Sequence, residues 1–352
     1  MKYGKIRIED GYLSFNRHMM LNSLPCRDIM WAYKRREGES FDDGTTKQMV
    51  SNYLVIVTRR RKRYKFDMTE KEVQECIHVL KALNPNMAVG FPKGGRLPLQ
   101  NLPNTRDLGA LASEDGRHIL PRKLFRSGGL YHASLSDQRL LSEEYHIKTV
   151  IDFRSGRERQ EKPDAILKGV EYYHIPIMDD ESMGISRESS MLEMVLGFQG
   201  DVDMLMQRQY ESFVRDRYSV KQYARFMDVL LHHEEGAALW HCSMGKDRVG
   251  VGTALLLCAL GIPRDTILED FMRTNRYLDK ELEYMLRYLE AKKLDSLENV
   301  EKISAMYKVK ESYLQCVFDA ILAEYGSVER FLRRGLYLTP KTLEELKNKY
   351  LV

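Results

Sequence analysis

With 352 residues, 43% of them hydrophobic and 30% charged, the chain has length for two domains and apolar content for ordinary cores. No apolar run approaches the ~18–20 residues of a membrane span. Alternating charges after Met1 stand where a secretory leader would be apolar, so neither feature is expected. Five scattered cysteines without a Cys-x-x-Cys pair predict reduced thiols and a cytoplasmic setting.

The net charge of +4 is unevenly spread: residues 1–100 hold 19 Lys and Arg against 11 Asp and Glu, the remainder 36 against 40. In the basic N-terminal part, polar turns separate candidate strands at Gly4–Ile8, Tyr12–Asn16, Asp28–Lys34, Ser51–Arg59 and Arg63–Asp67. Arg59-Arg60-Arg61-Lys62 fits the hairpin tip between the last two. Thr69-x-x-Glu72 predicts a capping box opening a helix, with Val73, Cys76, Ile77, Leu80 and Leu83 on its apolar face. Asn84-Pro85-Asn86 ends that helix, and the run from Phe91 to Pro98 reads as a linker. Strands closed by one amphipathic helix resemble a pleckstrin-homology-like barrel. The basic tip has two readings: contact with an anionic partner such as a phosphoinositide, or a solvated turn. The expected organisation is a PH-like antiparallel β domain with a C-terminal helix over 1–90, a linker over 91–100 and a second domain over 101–352.

Beyond the linker, strand-like and helix-like segments alternate. Strands are predicted at Lys148–Phe153, Val170–Pro176 and Ala237–Trp240, a Met-rich and mostly helical insertion at 181–235, and helices from Asp265 to Tyr350. This is an α/β pattern, which places ligands at the carboxyl ends of the strands. At such an end stands His241-Cys242-Ser243-Met244-Gly245-Lys246-Asp247-Arg248, followed by the helix-like Val249–Leu257. A strand-to-helix turn can gather backbone N–H groups around one anion, and the helix's positive end adds to them. The same field favours a thiolate, which makes Cys242 the candidate nucleophile. Arg248 offers a planar fork for two phosphate oxygens. Ser243, Met244, Gly245, Lys246, Asp247 and Arg248 are thus the candidate phosphate cradle.

The string HCxxGKDRxG resembles the loop of the cysteine-dependent protein tyrosine phosphatases. Its Lys-Asp before the arginine is similar to the bacterial tyrosine/lipid phosphatase family. Asn104-Thr105-Arg106-Asp107-Leu108-Gly109 resembles that family's N-terminal signature, Leu124-Phe125-Arg126-Ser127-Gly128 its next landmark, and Thr149 to Ser155 its Asp-Leu-Arg strand. Tyr325-Gly326-Ser327 and Phe331-Leu332 fit near the C-terminus. The resemblance covers about residues 100 to 350. It implies a protein-tyrosine-phosphatase-like sheet flanked by helices, and a cysteinyl-phosphate intermediate.

Roles follow from the resemblance. His241 orders the loop and thiolate, and Lys246 adds a second cation at the loop mouth. The proton for the leaving oxygen is assigned to Asp179, a few residues beyond the strand-end Pro176, with Asp180 and Asp247 as alternatives. A supporting role suits Asp247 better, because a carboxylate there repels the bound dianion unless turned outward or protonated. Asp152 and Arg154 read as a buried pair holding the loop. Val249 departs from the family's Thr or Ser, whose hydroxyl can bond the cysteine sulfur. Slow turnover of the phosphoenzyme is therefore expected unless another donor, Thr253 first, substitutes.

The reading is a cytoplasmic phosphatase needing neither metal nor cofactor. Its expected substrate is a phosphotyrosine protein, extending to phosphoserine/threonine. A phosphoinositide or inositol phosphate is the alternative substrate, and a non-catalytic phosphate-binding adaptor is the rival class. No nucleic-acid partner is expected.

Overall fold

The computed structural model describes residues 1–17, 20–37, 51–178 and 196–352. Asp179 and Asp180 lie outside the described residues. Met1–Phe91 together with Val352 forms one unit, and Pro92–Leu351 forms another.

In the first unit, β1 (Lys2–Tyr3), β2 (Ile6–Glu9), β3 (Tyr12–Arg17) and β4 (Met20–Pro25) make an antiparallel sheet in chain order. A second antiparallel set holds β5 (Ile29–Glu37), β6 (Ser51–Thr58) and β7 (Arg63–Met68). Helix α1 (Glu70–Leu83) follows, and β8 (Ala88–Val89) returns parallel to β5. Period-2 alternation turns Ile6, Ile8, Leu13, Phe15, Leu54 and Ile56 inward, into one cluster with Val73, Cys76 and Leu80 of α1. Thr69 and Glu72 form the capping box reciprocally. Strands β1, β4 and β8 were not expected. β4 escapes a hydrophobicity reading because its first four residues are all exposed. Leu83, expected on the buried face of α1, is exposed at the helix end.

The second unit is built on a five-stranded sheet. β9 (Arg106–Asp107), β10 (Leu124–Ser127), β11 (Ile147–Asp152), β12 (Glu171–His174) and β13 (Ala237–His241) lie in the order β12-β11-β13-β10-β9, parallel except for β9. Central β13 is buried at every residue, hence its unbroken apolar run. Helix α2 (Leu135–Arg139) follows β10, and α3 (Gly156–Glu161) follows β11. Then α4 (Val202–Arg215) and α5 (Arg217–His232) lead into β13, and α6 (Asp247–Ala259) leaves it. The rest is helical: α7 (Arg264–Tyr277), α8 (Asp279–Ala291), α9 (Leu297–Tyr307), α10 (Glu311–Tyr325), α11 (Val328–Arg334) and α12 (Pro340–Tyr350).

Two expectations are corrected here. The region expected as an insertion supplies the main core through Tyr210, Phe213, Tyr223 and Phe226 of α4 and α5, so these helices are integral. Most of the expected linker also belongs to the second unit. Lys93 N–H donates to the Gly109 carbonyl and Leu97 N–H to that of Thr105, while Leu97 and Leu99 pack beside Phe125 and Leu239. Among the described residues no helix is long and apolar enough to cross a membrane.

Candidate active site

Strand β13 ends at His241 and α6 begins at Asp247, so Cys242–Lys246 is the connecting loop. Three of its carbonyls are held from outside. Ser243 O accepts from Gly129 N–H at 3.0 Å, and Met244 O from Asn104 Nδ2 at 3.0 Å. Gly245 O accepts from Asn104 Nδ2 at 3.0 Å and Arg126 Nη2 at 2.9 Å. In a trans peptide the C=O and N–H point opposite ways. The N–H groups of Met244, Gly245 and Lys246 therefore face away from these anchors, beside the unpaired first N–H groups of α6. Gly245 sits at φ 71°, and a Cβ there would lie 2.4 Å from Ser127 O, so only glycine fits.

Behind the loop, Arg106 Nε reaches Asp270 Oδ1 at 2.8 Å and Arg126 Nη1 reaches Asp270 Oδ2 at 2.6 Å, all three residues buried. Burial alone would raise the Asp270 carboxyl, but the two arginines hold it below its ordinary range. Burial and then Arg106 pull Arg126 down to about 10. Two guanidiniums share one carboxylate, which leaves net positive charge under the loop and within electrostatic reach of Cys242.

On the other side, Arg154 Nη2 bridges Asp152 Oδ2 at 2.8 Å and Asp164 Oδ2 at 2.7 Å. His241 lies against the same carboxylates, Nε2 3.1 Å from Asp164 and Nδ1 3.8 Å from Asp152, close but not aligned as hydrogen bonds. Burial pushes Asp152 up, while His241 and Arg154 pull it below the usual carboxylate range. Asp152, Asp164 and His241 are the one group among the described residues compact enough for a metal ion. The Arg154 guanidinium already bridges the two carboxylates of that group.

Arg248 is gripped end-on by Glu158, Nη1 to Oε2 at 2.5 Å and Nη2 to Oε1 at 2.8 Å. Ser243 Oγ donates to Glu158 Oε1 at 2.5 Å. Glu158 is placed by the capping box of α3, in which Ser155 N–H donates to its Oε2. Burial would raise this carboxyl, yet Arg248 and Ser243 bring it down to about 2. Burial works against the Arg248 charge too, and Glu158 more than restores it. Sequence reasoning missed Glu158, although Ser155-x-x-Glu158 is a readable helix-start signal.

Lys246 departs from its expected place as a cation at the mouth. It is 3% exposed, its Nζ lying 3.1 Å from Asp247 Oδ1 and donating to Lys308 O at 3.3 Å. Asp247 Oδ1 also accepts from the Tyr210 hydroxyl at 2.6 Å, and Tyr223 donates to the Arg248 carbonyl at 2.9 Å. Val249 is fully buried in the same apolar cluster as Cys242. Thr253 Oγ1 accepts the Trp240 indole N–H at 3.0 Å, so its hydroxyl is turned toward β13.

Residues 97–352 match the model of the tyrosine phosphatase family. This chain belongs to that family. A Cupriavidus necator protein named as an inferred tyrosine-protein phosphatase is 28% identical over 263 residues, covering 72% of this chain and 88% of the relative. The triple specificity protein phosphatase PtpB of Mycobacterium tuberculosis is 26% identical over 255 residues, covering 65% and 90%. The solved Pseudomonas aeruginosa TpbA variant in complex with pTyr aligns at 14% identity over 58% of this chain and 89% of that one. Its TM-score of 0.23 is too low to carry an argument. In this phosphatase Asp164, Glu158 and Tyr210, which the sequence reading missed, and Asn104 and Arg126, which it named only as family landmarks without a role, all surround the loop.

Proposed function

We propose that this tyrosine phosphatase hydrolyses phosphotyrosine through a phosphocysteine intermediate, with Cys242 as nucleophile and Arg248 as the phosphate clamp. The observation that carries the reading is the loop: three of its carbonyls are bound by donors outside it, so the N–H groups of the same peptides turn the other way, and the Arg106–Arg126–Asp270 group, with one positive charge in excess, lies within electrostatic reach of Cys242. The Cys242 thiolate attacks phosphorus, forming the S–P bond as the P–O bond to the leaving group breaks, and a carboxylic acid protonates the departing oxygen. Water then attacks phosphorus and gives a proton to the carboxylate left by the first step, the S–P bond breaks, and inorganic phosphate and thiolate separate with the acid restored. We keep Asp179 as that acid, with Asp180 and Asp247 as alternatives. Against Asp247 stands its Oδ1, committed to both Tyr210 and Lys246. His241, Asp152 and Arg154 are assigned support of the loop. A reducing, cytoplasmic setting suits a thiolate enzyme whose five cysteines are all free.

The buried Lys246 weighs against a second phosphate being read at the loop mouth, and so against an inositol-phosphate substrate. The test is phosphate release from a phosphotyrosine peptide, a phosphoserine peptide, a phosphoinositide and para-nitrophenyl phosphate at matched concentration. Phosphotyrosine should lead, and Cys242→Ser should abolish every activity. Preference for the phosphoinositide, or phosphate binding without any release, would replace this reading with the lipid phosphatase or the adaptor.

A separate proposal concerns the first unit. Four of its sheet cations are ion-paired: Arg7–Glu9, Lys34–Glu70, Arg35–Glu37 and Lys65–Glu37. At the β6–β7 turn, Arg59, Arg60 and Lys62 are exposed and pair with no carboxylate among the described residues. We infer that this turn contacts an anionic lipid surface. At roughly 1 kcal/mol per charge, replacing all three by Ser should weaken binding to phosphatidylserine vesicles by about two orders of magnitude. Unchanged cosedimentation would leave the turn as a solvated tip.

A further inference from the structure

Tyr210 lies on α4 with no exposed surface. Its ring is wedged among Tyr313, Phe213 and Phe271, with centroids 5.3, 5.7 and 6.0 Å away. That packing fixes the ring and aims the hydroxyl at Asp247 Oδ1, 2.6 Å away. The same oxygen faces Lys246 Nζ at 3.1 Å. Asp247 is the first residue of α6 and adjoins Arg248, and its carboxylate and Cys242 both lie within electrostatic reach of that guanidinium. A negative side chain free to swing there would oppose a phosphate dianion.

Resting on the phosphate-binding reading above, we infer that Tyr210 is a positioning residue: it holds the Asp247 carboxylate away from the phosphate site, so that the loop's own negative charge does not oppose its ligand. Burial first, and Asp247 second, push the phenol far above its ordinary titration range, so the donor is present at every working pH. Phenylalanine would fill the same aromatic wedge and lack only the hydroxyl. Neither the loop motif nor any helix periodicity points to this role, because Tyr210 reads as one more apolar position of α4.

The experiment is calorimetric titration of inorganic phosphate into the full-length wild type, Tyr210→Phe, Asp247→Asn and the double variant, each checked by thermal melting. Letting a unit charge move a few ångströms closer to a dianion in a partly screened site changes binding by about tenfold. Tyr210→Phe should therefore weaken phosphate by about that factor. Asp247→Asn should bind at least as tightly as wild type, and the double variant should match Asp247→Asn, because no charge remains to be held off. Wild-type affinity in Tyr210→Phe overturns the inference, as does a tenfold loss that persists in the double variant, which would mark a packing effect. A weakened Asp247→Asn also overturns it, and needs no folded Tyr210 variant. Failure of the wild type to bind phosphate at all would instead defeat the phosphatase reading on which this rests.

Discussion

Replacing Glu158 by Gln removes one charge and almost no volume, and so tests what the carboxylate does for Arg248 together with Ser243. The side chain is 13% exposed and makes both end-on bonds to the guanidinium. Its fall from an ordinary 4.5 to about 2 corresponds to about 3 kcal/mol of preference for the charged form in the folded state. A lowered folded pKa stabilises above the unfolded value and ceases to do so as pH falls through the folded one. This contribution is therefore complete above about pH 4.5 and is lost toward pH 2. In Glu158→Gln it is absent throughout. At roughly 2–4 °C per kcal/mol for a unit of this size, the variant should melt about 6–12 °C lower at pH 7. Its stability should also decline less between pH 4.5 and 2.5. With its fork no longer clamped, Arg248 meets the phosphate less well placed, and kcat/KM should fall by about one to two orders of magnitude, the worth of a charge-assisted bond. Circular-dichroism melts across that pH range and steady-state kinetics on an aryl phosphate check both parts. A variant that melts with wild type at pH 7 and keeps its kcat/KM would refute the argument.

Asn104→Ala frees the Met244 and Gly245 carbonyls of their amide donor, leaving Gly245 with Arg126 alone. Phosphate affinity should fall at least tenfold and stability by about 1–3 kcal/mol, measured by titration and denaturant unfolding; unaltered affinity would mean the loop orients itself. Asp179→Asn should slow poor leaving groups most and activated aryl phosphates least. The same pattern in Asp247→Asn, and not in Asp179→Asn, would reassign the acid. For Val249, buried with Cys242, wild type should show a burst followed by slower turnover, and Val249→Thr should raise the steady rate by at most one to two powers of ten. No burst in wild type, together with no gain in the variant, would mean that another donor already serves the sulfur.

The parts legible in the sequence are those whose cause is local. Strand β13 announces itself because a strand buried on both faces reads as an apolar run, here Ala237 to Trp240, and Cys242 and Arg248 follow it closely. The Thr69–Glu72 capping box is legible for the same reason, since both partners stand within four residues. Glu158 is half legible: Ser155 predicts its place at the start of α3, but nothing nearby shows that its carboxylate also clamps Arg248. Lys246 shows the opposite failure. Its residue type promises a free cation at the mouth, while Asp247 and a carbonyl 62 residues away, that of Lys308, take its ammonium inward. Asn104 and Arg126 act on the loop from more than 100 residues away, and their effect depends on which carbonyl each donor meets. A contiguous motif can name the groups that react. The direction in which the loop's peptides point is decided by side chains elsewhere in the chain, because a peptide plane turns its N–H inward only when something outside accepts the task of binding its oxygen. Substitutions at Asn104 should accordingly impair phosphate binding with the motif itself untouched.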